Sequence, residues 1–264
     1  MQTAKQKLKR AAPWLFLLLV LAGLAAVRGL AANYEIGYEI MNGDFQNYNP
    51  VRHLLAGQVP YRDFTVYLGA GELYSVGGLL LVLGNSFGRS MFATNFCTWF
   101  YFELLVLAVC LVVIGTARAA RAAALALCSV FFAYVQGANL PFAGQVNTLL
   151  SYAAANGNSA RMMRSAALTL AVLVILLGLH FCQQDTSRRL LAPAVLVPFA
   201  AGFFVPWSND MGGAAYISIA LGYGLYLIRL YRSSIGKIVV QTLRYIVTSV
   251  VAVSYTHLRA HETE

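Results

Sequence analysis

Acidic residues are scarce in this 264-residue chain: ten Asp and Glu in all, with charged side chains of either sign making up only 11%. A soluble domain carries about a quarter. Too few polar groups remain to cover a water-facing surface, which excludes a soluble globular enzyme, and 59% apolar side chains exclude a disordered chain. The four cysteines, Cys97, Cys110, Cys128 and Cys182, lie in or beside apolar runs. They read as small buried hydrophobes rather than as a disulfide framework or a metal cluster. No compact basic face with interleaved aromatics is present, so the formal charge of +9 does not point to nucleic acid. No internal repeat of the inverted-transporter kind is evident.

What the sequence does have is long apolar runs, with a mean hydropathy of +0.65. Eight segments approach the ~20 residues that a bilayer requires: Ala11 to Val27, Leu68 to Phe87, Met91 to Gly115, Ala122 to Leu140, Ala166 to Cys182, Leu190 to Trp207, Ala214 to Leu230 and Ile238 to Ala252. The expected class is all-α, a polytopic membrane helical bundle of seven or eight spans over residues 1–252. The first run exceeds the 7–15 residues of a secretory signal core and reads as an uncleaved span, although Leu30-Ala31-Ala32 could pass as a weak cleavage site. Ser254 to Thr263 matches the translation of a transposase sequencing adapter. Residues 253–264 are therefore expected to be non-native, His257, His261, Glu262 and Glu264 to carry no function, and the native chain to continue past Ala252.

Without that tail, 18 Lys and Arg face 8 Asp and Glu. The cations form small groups between apolar runs: Lys5 to Arg10, Arg118 with Arg121, Arg161 with Arg164, Arg188 with Arg189, and Arg229, Arg232 with Lys237. Such groups hold loops on the cytoplasmic side, which places the N-terminus there. Strict alternation of eight spans would put several Arg groups outside. A re-entrant or interfacial Leu68 to Phe87 turns every later group inward and gathers the polar stretches Asn139 to Ala160 and Ser208 to Gly212 on the outer face.

The informative stretch is the polar loop from Asn33 to about Gly71, which with Glu72 holds five of the eight remaining acids (Glu35, Glu39, Asp44, Asp63, Glu72) and Arg52, His53 and Arg62. A tether needs only a few residues. Here Asn49-Pro50 opens a short helix ending at Gly57, and Val59-Pro60 and Gly69-Ala70-Gly71 mark backbone turns.

Gly43-Asp44-Phe45-Gln46-Asn47-Tyr48, then Gly57-Gln58-Val59-Pro60-Tyr61-Arg62-Asp63-Phe64 and Gly69-Ala70-Gly71, resemble the first extracytoplasmic loop of GT-C-fold glycosyltransferases. These are multispan enzymes that use polyprenyl-phosphate sugars, related to protein O-mannosyltransferases and bacterial lipopolysaccharide sugar transferases. The likeness covers residues 12 to 115. Ala70 replaces the usual proline of Gly-Pro-Gly, and a single acid, Asp44, stands where an Asp-Glu pair is common. The resemblance implies an N-terminal fragment of an inverting transferase in a bacterial inner membrane, moving a sugar from the lipid-linked donor to a glycan, lipid or protein acceptor. It implies Asp44 as the base that takes the acceptor's proton. Arg52, His53 and Arg62, with Tyr61 and Asp63 of the turn, would face the donor phosphate, and Asp210 is a second polar contribution. Oxygen ligands suit a hard divalent cation, so Asp44 with Glu39 or Asp210 is a candidate set.

Each residue has a plainer reading. Asp44 could cap a loop helix, Arg62-Asp63 could be a local ion pair fixing the turn, and His53 an interfacial residue. Asp210 could belong to a helix-capping turn and Glu35 and Glu39 could be solvated. Glu103, the one acid deep in a span, could be a neutral hydrogen-bonded acid, Arg28 could snorkel to headgroups, and Trp14, Trp99 and Trp207 read as interface anchors. The competing function is a non-enzymatic carrier of lipid-linked sugars or an assembly subunit.

Overall fold

The computed structural model describes residues 4–34, 42–66, 68–134, 161–184, 192–232 and 234–258. Among these residues the chain is helical with no strand, apart from one isolated bridge between Pro60 and Phe64. Nine α-helices follow in order: α1 Ala4–Tyr34, α2 Asn42–Leu55, α3 Ala70–Leu83, α4 Phe87–Ile114, α5 Ala119–Tyr134, α6 Arg161–Gln184, α7 Ala192–Trp207, α8 Gly212–Leu230 and α9 Ile235–Leu258. Glu35, Glu39, the 139–160 stretch, Arg188, Arg189 and residues 259–264 lie outside the described residues.

Among the described residues, four helical stretches are long and apolar enough to cross a membrane: Ala11–Leu30, Phe87–Ile114, Gly212–Leu230 and Ile235–Ser254. The other four expected segments form shorter apolar helices within the described residues, Ala70–Leu83, Ala119–Phe131, Met163–Leu179 and Val195–Trp207. The outward faces carry large apolar side chains, among them Phe16, Leu81, Val113, Leu221 and Val251. Water would penalise such surfaces and lipid does not. The chain is a helical membrane protein.

The helices group into two compact units, Met1–Tyr48 with Val82–Ala166 and Asn49–Leu81 with Ala167–Glu264. In the first, α1 and α4 pack antiparallel: Gly29 meets Phe92, Ala25 clusters with Trp99, and Leu17 and Leu21 cluster with Leu107 and Cys110. Gly115, at φ 88°, ends α4, and a single 3-10 turn at Thr116–Arg118 reverses the chain so that Ala122 and Ala126 of α5 join the same cluster. Two consequences follow within this unit. The basic start of α1 and the Arg118/Arg121 group lie at one end, and the chain between α1 and α4 leaves and returns at the other. Fourteen residues of α3 rise about 21 Å, short of the ~30 Å hydrocarbon core.

Glu103 is fully buried one turn beyond Trp99 on α4. The guanidinium of half-buried Arg28 stacks 4.8 Å from the Trp99 ring centre. Trp99 is only 4% exposed, so it serves as a platform for that cation inside the bundle rather than as an interface anchor. Arg164 is likewise buried. Cys97 and Cys110 are buried free thiols, as their apolar surroundings predict, while Cys128 is exposed.

The second unit centres on α6, α7, α8 and α9, whose core includes Leu179, Val197, Ala201, Ile219, Tyr223 and Tyr245. Gly202 of α7 lets the backbone of α9 approach: a Cβ there would lie 2.4 Å from the Ser249 carbonyl oxygen. Tyr216 and Ser249 hydroxyls meet at 3.1 Å across α8 and α9. Small residues and hydroxyl pairs of this kind hold helices together in lipid, where apolar burial supplies no drive.

Candidate functional site

The expected site residues other than Asp44 lie in the second unit, around a short ordered loop. α2 ends in a Schellman motif. Gly57 adopts φ 85°, its N–H donates to the Leu54 carbonyl at 3.0 Å, and the Gln58 N–H donates to the His53 carbonyl at 3.1 Å. Only a residue tolerant of the left-handed region fits Gly57, which is why the helix stops there. The first residues beyond the helix then fold back on it. His53 Nδ1 hydrogen-bonds Gln58 Oε1, and the His53 ring stacks on Phe64 at 5.2 Å.

Val59 to Phe64 form a tight turn organised by Asp63. The Asp63 N–H donates to the Val59 carbonyl at 2.9 Å, and the Val59 N–H returns a bond to Asp63 Oδ2 at 2.6 Å. Arg62 donates to both carboxylate oxygens, Nε to Oδ1 and Nη2 to Oδ2, each at 2.8 Å. This bidentate geometry suits guanidinium and carboxylate planes. Arg62 holds the Asp63 carboxyl at about 2, with the Val59 N–H adding to the effect, and Asp63 in turn raises the Arg62 value. Asp63 is thus ionised and a weak base at neutral pH, unsuited to taking a hydroxyl proton. Its evident work is to fix the turn and orient Arg62; both side chains remain partly open to solvent.

Tyr61 carries φ 67°, the one non-glycine positive φ among the described residues. For a bulky side chain this costs on the order of 1–3 kcal/mol and persists only where surroundings impose it. Those surroundings are visible: the Tyr61 N–H donates to the Phe64 carbonyl at 2.9 Å, and its phenol reaches toward the Pro206 carbonyl at 3.5 Å. Burial raises the phenol's pKa, with Tyr74 adding to it.

A second turn, 206–212, braces the first across some 140 residues of sequence. Asn209 Nδ2 donates to the Val66 carbonyl at 3.2 Å. Gly69, at φ 104°, lies against the Trp207–Ser208 backbone, and a Cβ at Gly71 would enter the Trp207 ring. Trp207 is therefore a packing partner of the start of α3. Asp210 faces back into its own turn, accepting from the buried Ser208 hydroxyl at 2.6 Å while that hydroxyl accepts from the Met211 N–H at 3.3 Å. Beneath the loop, Gly77 of α3 lets Leu54 and Val51 of α2 pack closely.

Arg52, on the exposed last turn of α2, donates to Asn49 Oδ1 at 3.3 Å. Asp44 lies in the first turn of α2, in the segment belonging to the other unit. Eight residues separate it from Arg52, so no i,i+4 pair joins them along the helix. Among the described residues no group of three or more His, Cys, Asp or Glu side chains converges as a metal site. The structure thus groups His53, Tyr61, Arg62, Asp63 and the 206–212 turn. It adds Gln58, Asn209 and Trp207, whose only sequence signals were their positions beside Gly57 and between apolar runs.

The chain matches no protein-family model, no curated protein and no solved structure.

Proposed function

We propose that the protein is a cell-membrane glycosyltransferase that moves a sugar from a polyprenyl-phosphate donor to an acceptor on the extracytoplasmic face, with its N-terminus in the cytoplasm. The observation that carries this reading is the Val59–Phe64 turn, a charge-fixed loop presenting Arg62 within an otherwise apolar helical chain. A preorganised guanidinium is suited to the charge that develops on a departing phosphate, because no reorganisation is needed at the moment of reaction. In this scheme Asp44 accepts the acceptor hydroxyl's proton, and the hydroxyl oxygen bonds to the anomeric carbon. The bond from that carbon to the phosphate oxygen breaks, inverting the configuration. Arg62 meets the leaving phosphate, with Arg52 and His53 as neighbouring donors, while the polyprenyl tail stays in the bilayer.

Membranes containing the protein, supplied with polyprenyl-phosphate sugars and total envelope acceptors, test the proposal. Transfer should require Asp44 and Arg62. Unchanged transfer on replacing either, with protein amounts equal, would favour the non-enzymatic carrier or assembly subunit.

A further inference from the structure

The first unit holds a feature that the transferase reading does not use. The early turns of α1 and of α5 border an apolar cleft of about 420 Å³, with Trp14, Leu17 and Val20 on one wall and Ala120, Ala123 and Leu127 on the other. Alanines on α5 leave the hollow. Leu17 is buried at its base, whereas Trp14 and Phe16 stand exposed at its side, so the cleft opens laterally where lipid would lie.

Along the chain, the charges that border the cleft residues have one sign. Lys5, Lys7, Lys9 and Arg10 precede the cleft on α1, and Arg118 and Arg121, both exposed, flank the alanines of α5. Neither α1 nor the stretch Thr116–Tyr134 contains an Asp or Glu. A zwitterionic lipid would gain the apolar walls, but its own headgroup cation offsets what its phosphate gains from the arginines. A lipid with a net negative headgroup gains the walls and the cations together.

We infer that this cleft binds an anionic glycerophospholipid, one acyl chain against Trp14, Val20 and Ala123 and the phosphate at Arg118 and Arg121. The cleft's size, at the small end of the roughly 300–1,000 Å³ typical of ligand sites, suits one chain. A polyprenyl chain would leave most of its length outside, and a partner helix would need a longer trough. The inference is independent of the transferase reading, since it concerns other residues.

The test is native mass spectrometry of the purified whole chain in detergent, with phosphatidylglycerol and phosphatidylcholine added at equal mole ratio. The expected result is retained phosphatidylglycerol, with a preference of about fivefold for each arginine engaged. The double change Arg118→Gln and Arg121→Gln should reduce that preference towards parity without altering helix content. Ala123→Trp should block retention of either lipid; if that variant fails to fold, the arginine pair alone decides. Equal retention of both lipids, or a preference that survives the arginine changes, overturns the inference. Displacement of phosphatidylglycerol by equimolar undecaprenyl phosphate would assign the cleft to a polyprenyl lipid, and a dimer mass lost in Ala123→Trp would assign it to a second copy. Either result also overturns it.

Discussion

Asp63 is open to water, yet its carboxyl is held at about 2 instead of the ordinary 3.8, chiefly by Arg62. A depressed carboxylate value means that the folded turn favours the ionised form, so this contribution is complete above the unfolded value and fades as pH falls through about 2. Observed by carboxyl NMR, Asp63 should titrate near 2 in the native protein and shift upward in Arg62→Gln, staying below the ordinary value because the Val59 N–H remains. A midpoint unmoved by that substitution would mean that the pair does not set the turn. Gly69 makes a separate demand: an alanine there must hold φ near 104° and fit against Trp207 and Ser208. Gly69→Ala should destabilise by about 2 kcal/mol or more, from backbone strain and overpacking together. Thermal unfolding in detergent reads this directly, and Gly57→Ala, strained at φ 85° but with open space around it, should cost less.

Among elements, the contact of α7 with α9 turns on Gly202, where the Ser249 carbonyl and the Ala252 side chain approach. Gly202→Leu should push the helices apart and weaken the unit by about 1–3 kcal/mol or more, whereas the same change at the uncrowded Gly224 should be nearly neutral. Cysteine cross-linking between the two helices reports the separation. Elements were also the most legible scale in the sequence, because hydrophobic run length alone marks helices in lipid. Gly57, Gly84 and Gly115 all mark helix ends through positive φ. Less legible were the partners that fix the candidate loop. Asn209 and Val66 are 143 residues apart, and nothing local in Pro206 to Gly212 tells that its Trp207 packs on Gly71. Trp99 misled for a related reason: its type favours the headgroup level, but it is buried between α1 and α4 with the Arg28 guanidinium over its ring.

For the whole molecule, the return of the chain between α1 and α4 to the end it left makes a topology prediction. In a background without the native cysteines, single cysteines at Lys7 and Arg121 should react with an impermeant maleimide from the same side of sealed vesicles, and one at Ser86, the N-cap of α4, from the opposite side. Labelling of Lys7 and Arg121 from opposite sides would contradict the antiparallel reading of α1, α4 and α5. The central claim concerns chemistry, and Asp44 carries it. Sugar transfer from a polyprenyl-phosphate donor should be measured in membranes holding equal amounts of the protein and of Asp44→Asn. The account predicts a loss of about 10²–10⁴-fold, the contribution of a positioned base, with the variant still inserted in the membrane. Transfer that proceeds undiminished in Asp44→Asn would contradict it.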